Sequence, residues 1–263
     1  MTSNPSLGHF VWFDLMTQDA TRAKAYYSEL FGWEIQQVDT GPMPYSMFSI
    51  EGEICAGVVD LSAVPQAAGA PAHWMGYIEV ADCRQAEARC MELGGTVIQP
   101  TNDIPGHGSL AVLQDPTGGV FSAWTSEQPK PPRGWEQMKP GMVCWTELIT
   151  SDVDAARAFY KEMLGWQEDE MPMEDGTIYY VQKAGETGLG GIMKTPMEGI
   201  PTHWSYYFLT TSVDEWNQRA LDLGGNQIKE PTDIPGTGRF SILSDPTGAV
   251  FALYEPAQGA ESC

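Results

Sequence analysis

Apolar and polar positions alternate with a period of two over residues 10–16, which predicts a strand. Asp19 then offers a helix cap, and Ala23, Tyr26, Tyr27 and Leu30 fall on one side of the helix that follows, until Gly32 stops it. Short β-rich segments follow near residues 34–38, 45–50 and 53–60, divided by glycine and proline. The pattern then restarts: a strand over 73–80, a helix over 82–93 ended by Gly94-Gly95, and strands near 96–99, 108–114 and 119–124. This half of the chain therefore reads strand-helix-strand-strand-strand, twice.

The second half repeats the first. Tyr26-Tyr27-Ser28-Glu29-Leu30-Phe31-Gly32-Trp33 returns as Phe159-Tyr160-Lys161-Glu162-Met163-Leu164-Gly165-Trp166, and Asp115-Pro116-Thr117-Gly118 as Asp245-Pro246-Thr247-Gly248. Ser151-Asp152-Val153-Asp154 is expected to form a capping box for the helix of the second half. The proline-rich stretch at 127–139 divides the chain into domains 1–126 and 140–263. Each repeated motif lies on one side of it, so a cut near Pro131-Pro132 is expected to leave two pieces that each keep a full set of elements.

Composition narrows the function classes. With 35 acidic against 14 basic residues the formal charge is −21, which repels a polyanion such as nucleic acid. No apolar run approaches the roughly 20 residues that cross a bilayer, and the first residues carry no secretion pattern, so the expected location is the cytoplasm. The five cysteines, Cys55, Cys83, Cys90, Cys144 and Cys263, form no Cys-x-x-Cys pair and read as free thiols.

The doubled βαβββ pattern, with Phe-Tyr-x-x-x-Leu-Gly-Trp ending the first helix and Asp-Pro-Thr-Gly before the last strand, resembles the vicinal oxygen chelate superfamily. That group includes glyoxalase I, extradiol dioxygenases and bleomycin-resistance proteins. The resemblance spans nearly the whole chain and implies an α+β fold of tandem glyoxalase-like domains, each of two βαβββ modules curled into a cupped half-barrel. It also implies a small-molecule site inside each cup, and in metal-dependent members a divalent Zn, Ni, Fe or Mn ion held from strands one, four, five and eight. At three of those positions this chain has Trp12, Met75 and Ser122 in one half and Trp145, Ser205 and Ala252 in the other. Indole carries no lone pair for a metal, so no metal cofactor is expected.

His73 and His203 lie two residues before the fifth-strand position, on the same inward parity, and either replace the ligand or cap the strand. Asp14 and Glu147 lie two residues beyond the ligand-position tryptophans. A carboxylate there needs a partner, and a nearby imidazole would make a carboxylate-histidine site: Asp14 with His73, Glu147 with His203. Trp12, Tyr77 and Trp124 in one half, and Trp145, Tyr207 and Tyr254 in the other, have the parity of an apolar ligand-binding wall or of core. His9 mimics the Gly-His start of the dioxygenases, His107 reads as a turn residue, and Glu255 is expected to be solvated. Three functions stay open: metal-independent proton-transfer chemistry on a small organic molecule, sequestration of a drug or metabolite without turnover, and a metal-dependent glyoxalase or dioxygenase. The expected partners are a small-molecule ligand alone, or a second copy in a homodimer.

Overall fold

The structure, a computed structural model, describes residues 4–38, 45–64, 67, 69–173 and 176–257, so the expectation for Cys263 lies outside the described residues. The first half runs β1 (Phe10–Thr17), α1 (Ala20–Phe31), β2 (Glu34–Val38), β3 (Tyr45–Ile50), β4 (Glu53–Asp60), β5 (His73–Glu79), α2 (Cys83–Glu92), β6 (Thr96–Ile104), β7 (Gly108–Gln114) and β8 (Val120–Ser126). The second half repeats it as β9 (Val143–Thr150), α3 (Val153–Leu164), β10 (Gln167–Pro172), β11 (Ile178–Ala184), β12 (Thr187–Lys194), β13 (His203–Leu209), α4 (Val213–Asp222), β14 (Asn226–Ile234), β15 (Gly238–Ser244) and β16 (Val250–Pro256). Each half makes one eight-stranded mixed sheet, in the orders β2-β3-β4-β1-β5-β8-β7-β6 and β10-β11-β12-β9-β13-β16-β15-β14. The α+β tandem fold expected from the repeat is present.

Local signals set the helix ends. Asp19 accepts from the Arg22 amide at 3.0 Å to start α1, and Gly32 ends it at φ 72°, a conformation that a Cβ would strain. The cap of α3 is Asp152, whose carboxylate accepts from the Ala155 amide at 3.1 Å. This corrects the expected capping box: Ser151 stays outside the helix, and Asp154 pairs with Arg157 on its surface. Glu255 is also corrected. It is half-buried and accepts from the Val213 amide at 2.8 Å, satisfying an orphan donor in the first turn of α4.

The compact units do not coincide with the two sequence halves. One takes Met1–Trp12, Gly76–Pro132 and Thr146–Trp204; the other takes Phe13–Met75, Arg133–Trp145 and Ser205–Cys263. Each core therefore joins modules from both halves, α2 touching α3 in one unit and α1 touching α4 in the other.

The repeated motifs explain the cross-pairing. In the first unit Tyr160, fully buried at the end of α3, donates to Asp115 Oδ2 at 2.9 Å and accepts from the Trp204 indole at 3.1 Å. Asp115 Oδ1 accepts from the Thr117 amide, the Thr117 hydroxyl and the Gly119 amide, so the buried acid of the Asp-Pro-Thr-Gly turn is fully engaged. Trp166 stacks on Tyr160 at 5.1 Å and donates to the Gly8 carbonyl at 2.8 Å. In the second unit Trp74 donates to the Tyr27 hydroxyl at 3.0 Å, and burial, then the charge of Asp245, pushes the Tyr27 phenol well above its ordinary pKa. The tryptophan after each strand-opening histidine is thus a core residue.

Tyr160→Phe leaves Asp115 Oδ2 and the Trp204 indole without this partner. A loss of roughly 1–3 kcal/mol of stability is expected, read by urea denaturation.

Candidate functional site

In the second unit Asp14 sits on β1 at 3 % exposure, and the Tyr45 hydroxyl donates to its Oδ1 at 2.8 Å. Between them, on β4, is Gly57, the register partner of Asp14 in a parallel pair. A Cβ at Gly57 would lie 2.1 Å from the Tyr45 oxygen and 2.2 Å from Asp14 Oδ1. The missing side chain is what lets the phenol reach the acid across a central strand.

The first unit holds the corresponding acid, glycine and tyrosine. Glu147 on β9 is 7 % exposed and pairs in register with Gly191 of β12, where a Cβ would lie 2.0 Å from the Tyr179 oxygen. Acid, glycine and tyrosine occur on three adjacent strands in both halves, β1-β4-β3 and β9-β12-β11. Sequence reasoning found the acids and missed Tyr45, Gly57, Tyr179 and Gly191. The signal was there, since each tyrosine and glycine recurs 134 residues on.

The histidines have other partners in hand. His73 Nδ1 lies 2.9 Å from the Pro71 carbonyl, and His203 Nδ1 lies 2.8 Å from the Pro201 carbonyl. A carbonyl only accepts, so in each ring Nδ1 carries a proton and donates it to backbone. Each imidazole thus makes a contact with backbone, and Asp14 makes one with Tyr45. His9 is 8 % exposed, with Nδ1 at 3.2 Å from the Leu7 carbonyl and Nε2 buried without a hydrogen-bond partner. His107 is exposed in the turn between β6 and β7.

Some of the aromatic positions meet within each unit. In the first, Tyr77 meets Trp124 edge to face at 6.2 Å, while Trp12 is half-buried. Ser122, in register with Tyr77, is 1 % exposed and its hydroxyl has no hydrogen-bond partner. In the second, Tyr207 and Tyr254 form a buried cluster with Ala252, against which Trp145, Cys144, Phe240 and Ile242 pack. The Tyr254 hydroxyl donates to the Thr237 carbonyl at 2.9 Å. Among the surface clefts are one of about 150 Å³ beside α1, lined by Tyr45, Ser46, Val58 and Asp60, and one of about 270 Å³ at the β6-β7 turn.

Several polar groups are tuned chiefly by burial. Glu79, 1 % exposed at the end of β5, accepts from Asn4 at 2.9 Å and from the Ser126 amide at 3.1 Å, and desolvation raises its pKa against both bonds. Cys55, Cys83, Cys90 and Cys144 are thiols outside any disulfide; burial pushes Cys55 up to about 12 and Cys90 up to about 11, which makes thiolate chemistry unfavourable there.

Comparison with known proteins decides the family. Residues 10–124 match the model for a glyoxalase-like domain, and residues 143–253 match that of the glyoxalase/bleomycin resistance protein/dioxygenase superfamily. The chain belongs to this superfamily. It is 36 % identical to "Putative glyoxylase CFP32" of Mycobacterium tuberculosis over 94 % of both chains. It is 33 % identical to the anthracycline biosynthesis protein DnrV of Streptomyces peucetius, over 94 % of this chain and 93 % of that one. Among solved structures, the 2,3-dioxygenase LapB from Pseudomonas sp. KL28 covers 99 % of this chain and 98 % of its own, at 15 % identity and TM-score 0.64. The Mn(II)-bound glyoxalase from Novosphingobium aromaticivorans covers 95 % and 82 %, at 14 % identity and TM-score 0.64.

The donor set at three of the positions to which the resemblance points does not suit a divalent ion: Trp12, Met75 and Ser122, with Trp145, Ser205 and Ala252, offer no imidazole or carboxylate there. On the fourth strands, β12 carries no His, Cys, Asp or Glu, whereas β4 carries Glu53, Cys55 and Asp60. Among the described residues no three such side chains cluster.

Two outcomes test this geometry. Gly57→Ala drives a methyl group into the Tyr45–Asp14 contact, and a loss of roughly 1–3 kcal/mol is expected, read by thermal unfolding. For Glu79, a folded pKa raised above the unfolded one means the ionised form opposes folding. Stability is therefore retained below the ordinary carboxylate pKa and declines as pH rises through the raised value. Glu79→Gln is expected to flatten that decline in urea titrations across pH.

Proposed function

We propose that this protein binds a small oxygenated organic molecule and moves a proton on it without a divalent metal. Asp14 with His73 serves the first half, and Glu147 with His203 the second. The observation that carries this reading is the buried carboxylate kept in each half at the register position of a glycine, where the donors for a metal are absent. A carboxylate can take a proton from a C–H or O–H of the ligand. The imidazole, with Nδ1 fixed on backbone, offers Nε2 as a second acceptor in its neutral tautomer.

Trp12, Tyr77 and Trp124, with Trp145, Tyr207 and Tyr254, supply flat apolar surface for an aromatic ligand. Relatives of nearly equal length named for anthracycline biosynthesis support a fused-ring class. The formal charge of −21 disfavours nucleic acid, and no helix among the described residues is long and apolar enough to cross a membrane. We place the protein in the cytoplasm with a small molecule as its partner, as a monomer or homodimer.

Elemental analysis of protein purified without added metal is expected to find well below one equivalent of Zn, Ni, Fe or Mn; a stoichiometric ion would restore the metal-dependent reading. Asp14→Asn and His73→Ala are each expected to weaken the binding of 2-naphthol, a fused-ring phenol, by roughly tenfold, with the double variant little worse than either. Additive losses would separate the two groups. Binding with no proton exchange on any ligand tried would favour sequestration.

A further inference from the structure

We propose that the cleft beside α1 is a second binding site, for a single phenol ring lying beneath Lys24. This site does not depend on the roles given above to Asp14 and His73.

The second half of the chain shows what this place in the fold accommodates. Gln37, Ser46 and Val58 stand side by side on β2, β3 and β4, and Glu170, Tyr180 and Ile192 stand in the same register on β10, β11 and β12. The helix α1 packs on β4 as α3 packs on β12. Lys24 and Arg157 each lie five residues after the aspartate that caps their helix. In the second half the guanidinium carbon of Arg157 lies 3.6 Å from the centre of the Tyr180 ring, a cation on an aromatic face. In the first half Ser46, 5 % exposed, stands in place of that tyrosine, and a cleft of about 150 Å³ is lined by Ala20, Lys24, Val38, Ser46, Val58 and Asp60. A space of about 150 Å³ holds a benzene ring. The cleft thus has the size of the ring that serine lacks, and the helix still carries a cation at the position that covers it.

The surroundings set the class of ligand. Arg157 pairs with Glu168 and Asp154; their counterparts in the first half are Ile35 and Thr21, so those ion pairs have no equivalent at Lys24. Asp60 lines the cleft where the second half has Lys194, and a carboxylate accepts from a ligand hydroxyl. Ala20, Val38 and Val58 give a ring apolar contact, Lys24 gives its face a cation, and Asp60 gives its hydroxyl an acceptor. A neutral phenol matches all three. A saturated ring gains nothing from the ammonium, and a benzoate meets the charge of Asp60.

The probe is p-cresol, the tyrosine side chain as a free molecule, titrated into the full chain beside 4-methylcyclohexanol, its saturated counterpart, and followed by broadening of the ligand's own NMR lines. Saturable binding is expected for p-cresol, tighter than for 4-methylcyclohexanol. Ser46→Tyr gives the first half the ring that the second half already has, and is expected to weaken p-cresol roughly tenfold or more by filling the space. Lys24→Met keeps an apolar stem and removes the charge; a roughly twofold to fivefold loss is expected for p-cresol, with 4-methylcyclohexanol unchanged. Undiminished p-cresol binding in a folded Ser46→Tyr chain overturns the proposal. So does the absence of saturable binding to the unmodified chain at millimolar p-cresol. Unchanged p-cresol binding in Lys24→Met, or an equal loss for both compounds, overturns it as well, because the cation then does not read the ring. Circular dichroism and a melting curve show whether Ser46→Tyr folds; if it does not, Lys24→Met decides alone, since Lys24 is a half-buried residue on the helix surface.

Discussion

The hydrogen bond from Tyr160 to Asp115 organises much of this molecule. An ionisable side chain at 3 % exposure needs every lone pair engaged, and the Asp-Pro-Thr-Gly turn supplies three donors for Oδ1 but none for Oδ2. The remaining donor comes from a helix of the other sequence half, and Trp204 and Trp166 then pack on the same tyrosine. A turn that looks local is completed only by a distant module.

A second constraint shapes the candidate site. Parallel pairing of β1 with β4 sets Asp14 beside Gly57, and of β9 with β12 sets Glu147 beside Gly191. On a sheet face an opposed side chain would fill the space above the acid, so glycine is required wherever a tyrosine from the next strand must reach across. The residue without a side chain is as much part of the site as the acid. At three of the positions that the resemblance points to for a metal ligand, this chain carries indole, thioether, hydroxyl or methyl groups, and Asp14 and His73 lie two residues from them. Fold and function part at that point, as a shared architecture permits.

The repeat, the α+β class, and most of the elements were legible in the sequence, because alternation, helix caps and stop glycines are local properties. Asp19 and Gly32 bound α1, and the strands near 34–38, 45–50 and 53–60 form there. Burial of Ala23, Tyr26, Tyr27 and Leu30 followed from their helical spacing alone. The acids Asp14 and Glu147 were legible too, since a charge at inward parity stands out against apolar neighbours. Local pattern was less reliable where two acceptors competed for one helix end, as at Ser151 and Asp152, because the carboxylate with the better geometry takes the amide.

Tertiary structure decided the rest. Which tyrosine satisfies which acid depends on strand order, and β3 reaches β1 only across β4, a relation with no fixed sequence separation. The engagement of His73 and His203 with the Pro71 and Pro201 carbonyls is a side-chain contact to backbone that alternation does not encode. The exchange of modules between the two compact units is equally invisible in a linear repeat, because identical modules present identical faces and only packing selects the partner. Sequence by itself determined the elements and the chemistry they carry; the long-range pairing of strands and the need to satisfy buried polar atoms determined which of those groups meet.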